Sequence, residues 1–197
     1  GNEGFSGIYV RGGGADENLM LLDGTSLYNV SHLFGLLSVF TPEAVKKVTV
    51  YKGSFPARYG GRVSSVVDVR TNDGNLKTIS GSVTAGFLAE KFHLEGPLKN
   101  ENTTFSLSTR GMHTFLFDRV IKWAGSPLNY AFYDVNAKVS HKFSDRSRGW
   151  IGLYSGRDYF RYEDKSKSSK RFYGSDYEPY TMITENENNL NLSWGNN

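Results

Sequence analysis

The sequence predicts a mainly β chain in which a compact α+β portion, residues 1–77, precedes antiparallel strands over residues 78–197 that are patterned like the wall of a transmembrane β-barrel. Three observations predict it. Glycine and aromatic residues are abundant, with 22 Gly, 12 Tyr and 13 Phe against 5 Pro, a composition of turns and strands. From about residue 79 onward, apolar and polar residues alternate with period two. Short and long connections also alternate between those segments, as they do where one end of a barrel is tightly turned and the other carries extended loops.

In the amino-terminal portion, residues 5–11, FSGIYVR, read as a short strand, and residues 18–24, NLMLLDG, as a second one closed by the turn dipeptide Asp23-Gly24. Between them stand Gly12, Gly13 and Gly14, followed by Ala15, Asp16, Glu17 and Asn18. A phosphate cradle would need GxxxxGK[ST], and a dinucleotide loop GxGxxG running into a helix. Here two carboxylates and a strand follow the glycines, and carboxylates repel phosphate. The run is a strand connection in which glycine supplies positive φ angles. Thr41, Pro42 and Glu43 combine an N-cap, a first-turn proline and an acid at the positive end of a helix dipole, which predicts a short helix. Residues 46–51, KKVTVY, and 64–71, SSVVDVRT, are β-branched strands, the second preceded by Gly60-Gly61.

In the second portion the clearest strand is 130–143. Ala131, Tyr133, Val135, Ala137, Val139 and Phe143 share one face, and Asp134, Asn136, Lys138, Ser140 and Lys142 share the other, with His141 interrupting the apolar face. Phe105 and Leu107 against Ser106, Ser108 and Arg110 repeat the scheme, as do Leu190, Leu192 and Trp194 against Asn189, Asn191 and Ser193. The connections near 99–102 and 144–147 are short and polar, whereas those near 113–129 and 161–182 are long. A soluble antiparallel sandwich that binds carbohydrate or protein through those two loops fits the same pattern.

Bulk properties narrow the function classes. The net charge is +3 with Lys and Arg scattered among acids, which gives no support to nucleic-acid binding. Mean hydropathy is −0.45, and no apolar run approaches the ~18 residues of a spanning helix, so any membrane crossing must use strands. With no cysteine, neither disulfides nor thiolate metal sites are available. His32, His93, His113 and His141 show no ligand spacing and read as surface or strand residues, so no metal is expected. No GxSxG elbow anchors a nucleophile. No enzyme activity and no cofactor are expected.

Residues 8–24, IYVRGGGADENLMLLDG, resemble the plug motif of TonB-dependent outer-membrane receptors, in which a strand ending in Val-Arg-Gly leads through a loop to a strand ending in Asp-Gly. Residues 42–73, PEAVKKVTVYKGSFPARYGGRVSSVVDVRTND, resemble the second plug motif of that family, a short helix, a strand, a Lys-Gly turn, a Tyr-Gly-Gly segment and a final strand. Residues 81–110 resemble the first barrel strands. The resemblance implies the C-terminal part of a plug domain (1–77) and about six barrel strands with two long outer loops (78–197). The barrel is incomplete, because a receptor of this family has about twenty-two strands and closure fixes strand number, tilt and stagger together.

What the resemblance implies for function is active import of a scarce or bulky nutrient (a siderophore, glycan or peptide) through a plugged barrel in the outer membrane of a Gram-negative bacterium. The implied partners are outer-membrane lipid, the TonB protein acting through a plug segment outside this chain, and a surface lipoprotein that caps the substrate. Residues 26–36, SLYNVSHLFGL, correspond to the plug loop that meets substrate. Tyr28, Asn29, His32 and Phe34 are its candidate substrate-binding residues, offering ring faces and hydrogen-bonding edges. The alternative is that Leu33, Phe34, Leu36, Leu37, Val39 and Phe40 are simply plug core. Arg11, Arg58, Arg62 and Arg70 of the plug and the lumenal charges Glu90, Asp134, Lys138 and Lys142 of the barrel read either as partners in charged hydrogen bonds between plug and wall or as ordinary solvated surface charge.

Overall fold

The computed structural model describes residues 18–27, 31–32, 37–52, 56, 59, 65–86, 89–99, 102–112, 119, 123, 128–163 and 180–196, as backbone only at 128–129, 160–163 and 180–196. The glycine run at 12–14 and the strand at 5–11 lie outside the described residues.

Strands β1 (Asn18–Leu22), β2 (Thr25–Leu27), β5 (Val45–Lys52) and β6 (Ser65–Thr71) form one sheet in the order β2-β1-β6-β5, beside a small antiparallel pair of β3 (Ser31–His32) and β4 (Leu37–Ser38). Asp23 and Gly24 take φ values of 49° and 90° between the paired residues Leu22 and Thr25. Positive φ at both central positions is the type I′ turn, whose twist matches that of a hairpin. The parallel register of β1 with β6 sets Met20 beside Val67 and Leu22 beside Val69. These four, with Leu27, Val39 and Tyr154, form a buried cluster.

The helix expected at Thr41 is a single turn. Ala44 N–H donates to the Thr41 carbonyl at 3.0 Å and Val45 N–H to that of Pro42 at 3.3 Å, after which β5 begins. The local capping signals act, but the β-branched run that starts at Val45 leaves no residues to propagate a helix.

The six remaining strands pair antiparallel in chain order: β7 (Ser80–Ala85), β8 (Ala89–Pro97), β9 (Thr103–Met112), β10 (Leu128–Ser144), β11 (Ser147–Glu163) and β12 (Tyr180–Asn196). β10 and β11 are joined tightly at residues 145–146, and β11 and β12 extend into the stretch expected as a loop, leaving 164–179 as their connection. Among the described residues this wall is not closed on itself.

Its two faces are inverted relative to a soluble sheet. Register aligns Leu94, Leu107, Ala137 and Leu153 in one cross-strand row and Phe105, Val139 and Ile151 in the next. Val139 is 43% exposed and Ile151 53%. On the opposite face Ser106, Ser108, Arg110, Asp134, Asn136, Lys138 and Ser140 are buried. A soluble sandwich would bury the first face and wet the second. Glu90, expected in the lumen, instead pairs with Gly111, which in turn pairs with Tyr133 of the outward face. Its neighbour Lys91 pairs with Arg110 and takes the inner face.

After β6 the chain crosses onto β9, and Gly74 makes that approach possible. Its φ is 91°, and a Cβ there would strike the Phe105 carbonyl oxygen and lie 2.9 Å from both the Phe105 carbonyl carbon and Thr104 Cβ. Gly74→Ala in the full-length protein is expected to destabilise by about 1–3 kcal/mol through φ strain and this clash. An unshifted thermal midpoint would mean that the crossing segment does not dock on β9.

Candidate functional site

The amino-terminal portion and the buried face of the wall meet through two charged clusters. The first lies toward the long connections. β3 delivers His32, 2% exposed, so that Nε2 is 2.7 Å from Asp134 Oδ1 and Nδ1 is 2.7 Å from Asp158 Oδ2. Asp134, 1% exposed, also accepts from Arg110 Nε at 2.9 Å and Nη2 at 2.5 Å, and from the Tyr154 hydroxyl at 3.0 Å. Arg110 Nη2 reaches on to the Ser38 carbonyl of β4 at 2.5 Å, and the Tyr130 hydroxyl donates to Asp158. Phe132 stacks on the His32 ring at 4.6 Å between centroids and lies under the Arg110 guanidinium. Leu37 is buried in a small apolar cluster with Ala89, Met112, Tyr130 and Phe132. Burial by itself pushes the His32 imidazole down, but its hydrogen bonds and charge contacts with Asp134 and Asp158 outweigh it and raise the pKa from 6.5 to about 8.

The second cluster lies toward the tight 145–146 turn. Lys138 Nζ of β10 bridges Asp23 Oδ1 at 3.1 Å, Asp73 Oδ1 at 3.0 Å and the Thr71 carbonyl at 3.2 Å, with the Trp150 ring 5.3 Å away. Asp73 accepts from Arg148 Nη1 at 3.0 Å and Lys46 Nζ at 2.5 Å, and its carbonyl accepts from the Thr104 hydroxyl. The type I′ turn holds Asp23 in place, where its carboxylate accepts from the Thr71 N–H at 3.1 Å and from the Thr71 hydroxyl. Burial alone would raise the Asp73 carboxyl, but Lys46 and Lys138 hold it below the ordinary carboxylate range. Between the clusters Asp23, Ser106, Ser108, Asn136, Lys138 and Tyr154 help line a cavity of about 20 Å³. That admits a water, not a nutrient.

Of the residues singled out in sequence, Asp134 and Lys138 sit at the centres of the two clusters. Lys142 instead pairs with Asp145 in its own turn, and Arg70 is half exposed and lies 3.9 Å from Asp68 of its own strand. Arg11, Arg58 and Arg62 lie outside the described residues, as do Tyr28, Asn29 and Phe34. His32, expected on a surface or strand, is one of the most buried side chains described. His93 contacts Ser108 Oγ at 2.7 Å, His141 contacts Thr103 Oγ1 at 2.7 Å, and His113 is outside the described residues. Sequence reasoning missed Asp23, Asp73, Arg148 and Asp158. At the second cluster the cations Lys138 and Arg148 of the wall meet the acids Asp23 and Asp73 of the amino-terminal portion.

Residues 1–67 match the family model of the TonB-dependent receptor plug domain. No curated protein matches the sequence. Among solved structures, the siderophore receptor PirA of Acinetobacter baumannii is similar with a TM-score of 0.51 at 17% identity, over 75% of this chain and 24% of that one. PirA of Pseudomonas aeruginosa gives 0.49 at 18%, over 81% and 31%. The chain thus spans about a quarter to a third of the length of these receptors. Residues 1–67 are thus those of a TonB-dependent receptor plug domain by their family match, and a strand meander with an apolar outer face and a charged inner face follows them in the chain.

Proposed function

We propose that the protein is an outer-membrane active-transport receptor of a Gram-negative bacterium, importing a scarce or bulky nutrient through its plugged barrel with energy delivered by TonB, with the plug ending near residue 77. The observation that carries this reading is the inverted wall, with charges buried against the plug and a continuous apolar band facing outward. Water rewards the reverse arrangement; lipid on one side and a hydrated plug on the other reward this one. β10, β11 and β12 have 17 residues each, more than the ~9–11 that a tilted strand needs to span a bilayer, so their ends carry the loops clear of the membrane. The soluble sandwich would have to expose Val139, Ile151 and Leu153 to water.

The full-length protein, expressed in a Gram-negative host, should fractionate with the outer membrane and require detergent for release. Recovery in the soluble fraction would overturn the reading. TonB coupling predicts that deleting TonB abolishes growth on the imported nutrient while leaving its binding intact, and growth of a receptor-deletion strain on ferric siderophores, oligosaccharides and oligopeptides would sort the substrate class. A surface lipoprotein cap would be expected to co-purify with the receptor. No catalytic step is part of the proposal.

Recognition is assigned in this reading to residues 26–36, with Tyr28, Asn29 and Phe34 meeting the nutrient and His32, its ring nitrogens already engaged, anchoring the loop. Aromatic and amide groups bind without net charge, so affinity should depend weakly on salt. Tyr28→Ala with Asn29→Ala is expected to weaken nutrient binding at least about tenfold, about 1.4 kcal/mol, with barrel assembly unchanged. Unchanged affinity in the purified double mutant would move recognition to the long loops of the wall.

A further inference from the structure

Among the described residues His32 alone has both ring nitrogens against carboxylates, each at 2.7 Å. A neutral imidazole carries one N–H and one bare acceptor, and an acceptor facing a carboxylate oxygen sets lone pair against lone pair. Two such contacts fit the imidazolium, which donates on both sides. The titratable and charged groups around the ring are Arg110 from β9, Asp134 and Tyr130 from β10, and Asp158 and Tyr154 from β11, while β4 contributes only the Ser38 carbonyl. Two carboxylates and one guanidinium leave a buried deficit of one positive charge, which the imidazolium supplies.

We propose that His32 is a proton-held pin: as the imidazolium it fastens the β3–β4 pair to the barrel wall, and loss of that proton loosens the fastening. The proposal rests on the receptor reading above for the identity of plug and wall, but the pin itself is a property of the ligand-free protein.

The raised pKa agrees in direction with the geometry. Because the docked value of about 8 lies above the ordinary 6.5, the contribution of the pin is complete below about pH 6.5 and is lost as pH rises through about 8. Between those values, withdrawing His32 from the two aspartates discharges a proton, and redocking takes one up. Acidification tightens the plug and alkalinity slackens it. The second cluster does not share this behaviour, since Asp73 is held below the ordinary carboxylate range and stays charged across neutral pH.

The test is amide hydrogen exchange on the ligand-free, full-length receptor in detergent from pH 6 to pH 9, corrected for intrinsic base catalysis. Protection of the peptides bearing β3 and β4 should fall by about twentyfold across that range, with less than about twofold change around Asp73. His32→Gln should flatten the β3–β4 profile. A flat wild-type profile, or a His32→Gln profile that still falls with pH, overturns the proposal. If His32→Gln fails to assemble, the wild-type profile decides alone, with the Asp73 region as internal reference. Neither nutrient nor TonB enters the measurement, so a failed uptake assay and a failed pin are separate results.

Discussion

Asp134→Ala in the full-length receptor is expected to cost about 3–5 kcal/mol, the largest effect of any single change at the plug–wall interface. The Asp134 carboxylate is the shared acceptor of Arg110, His32 and Tyr154. Alanine removes one charge and leaves the Arg110 guanidinium buried without its counter-ion, and it is this stranded charge, more than the lost attraction, that makes breaking a buried pair expensive. Asp134→Asn should cost less, since an amide oxygen still accepts, although it does not neutralise Arg110. Replacing both Arg110 and Asp134 by Met and Leu should recover much of the loss, because no unpaired charge then stays buried. Denaturant unfolding of the purified receptor measures all three. A loss below about 1 kcal/mol for Asp134→Ala would mean that water or another acid takes over Arg110, and the interface would then have to be far wetter than its burial indicates.

Val139→Arg is expected to cost about 2–4 kcal/mol near the bilayer midplane, while Ser140→Ala on the next residue stays within about 1 kcal/mol. Val139 projects outward in register between Phe105 and Ile151, where an arginine must either desolvate or thin the lipid. Ser140 points inward, and its hydroxyl is buried without a hydrogen-bond partner from the protein, so little is lost with it. Assembly yield and unfolding midpoint in lipid vesicles measure the contrast. Equal tolerance at the two positions would remove the lipid-facing assignment of this surface.

The sequence made β10 legible because its alternation is nearly unbroken: odd positions from Tyr133 to Val139 are apolar or aromatic and even positions from Asp134 to Ser140 polar. β11 hides the same geometry. Its inner face carries Trp150, Gly152, Tyr154, Gly156 and Asp158, so large rings and bare backbone replace a polar stripe and hydropathy stops alternating. The Asp23-Gly24 turn could be read locally, since φ preference belongs to two residues. The partners of Asp23 could not, because Lys138 lies 115 positions away and the match depends on how one sheet registers against another. For the same reason Arg70, the one described residue among the arginines expected to tie plug to wall, stands beside Asp68 of its own strand instead. His32 looked ordinary in SLYNVSHLFGL, and only the arrival of Asp134 and Asp158, 102 and 126 residues distant, gives it a role.

The two charged clusters sit at different heights. Asp134 and Lys138 are four residues apart on one strand, a separation of about 13 Å at ~3.3 Å per residue. If the amino-terminal portion were peeled from the wall starting at the tight-turn end, the Asp23–Lys138–Asp73 cluster would be loaded first and the His32 cluster only after it had yielded, whereas a pull straight along the strands would load both at once. Fastenings loaded in series part at the strength of each one in turn, as a zipper does, whereas fastenings loaded side by side must all fail together. In the peeling case the peak force for dislodging the plug would be set by the strongest single described cluster rather than by the sum of them, and after the first step the His32 cluster would still be in place to guide the plug home.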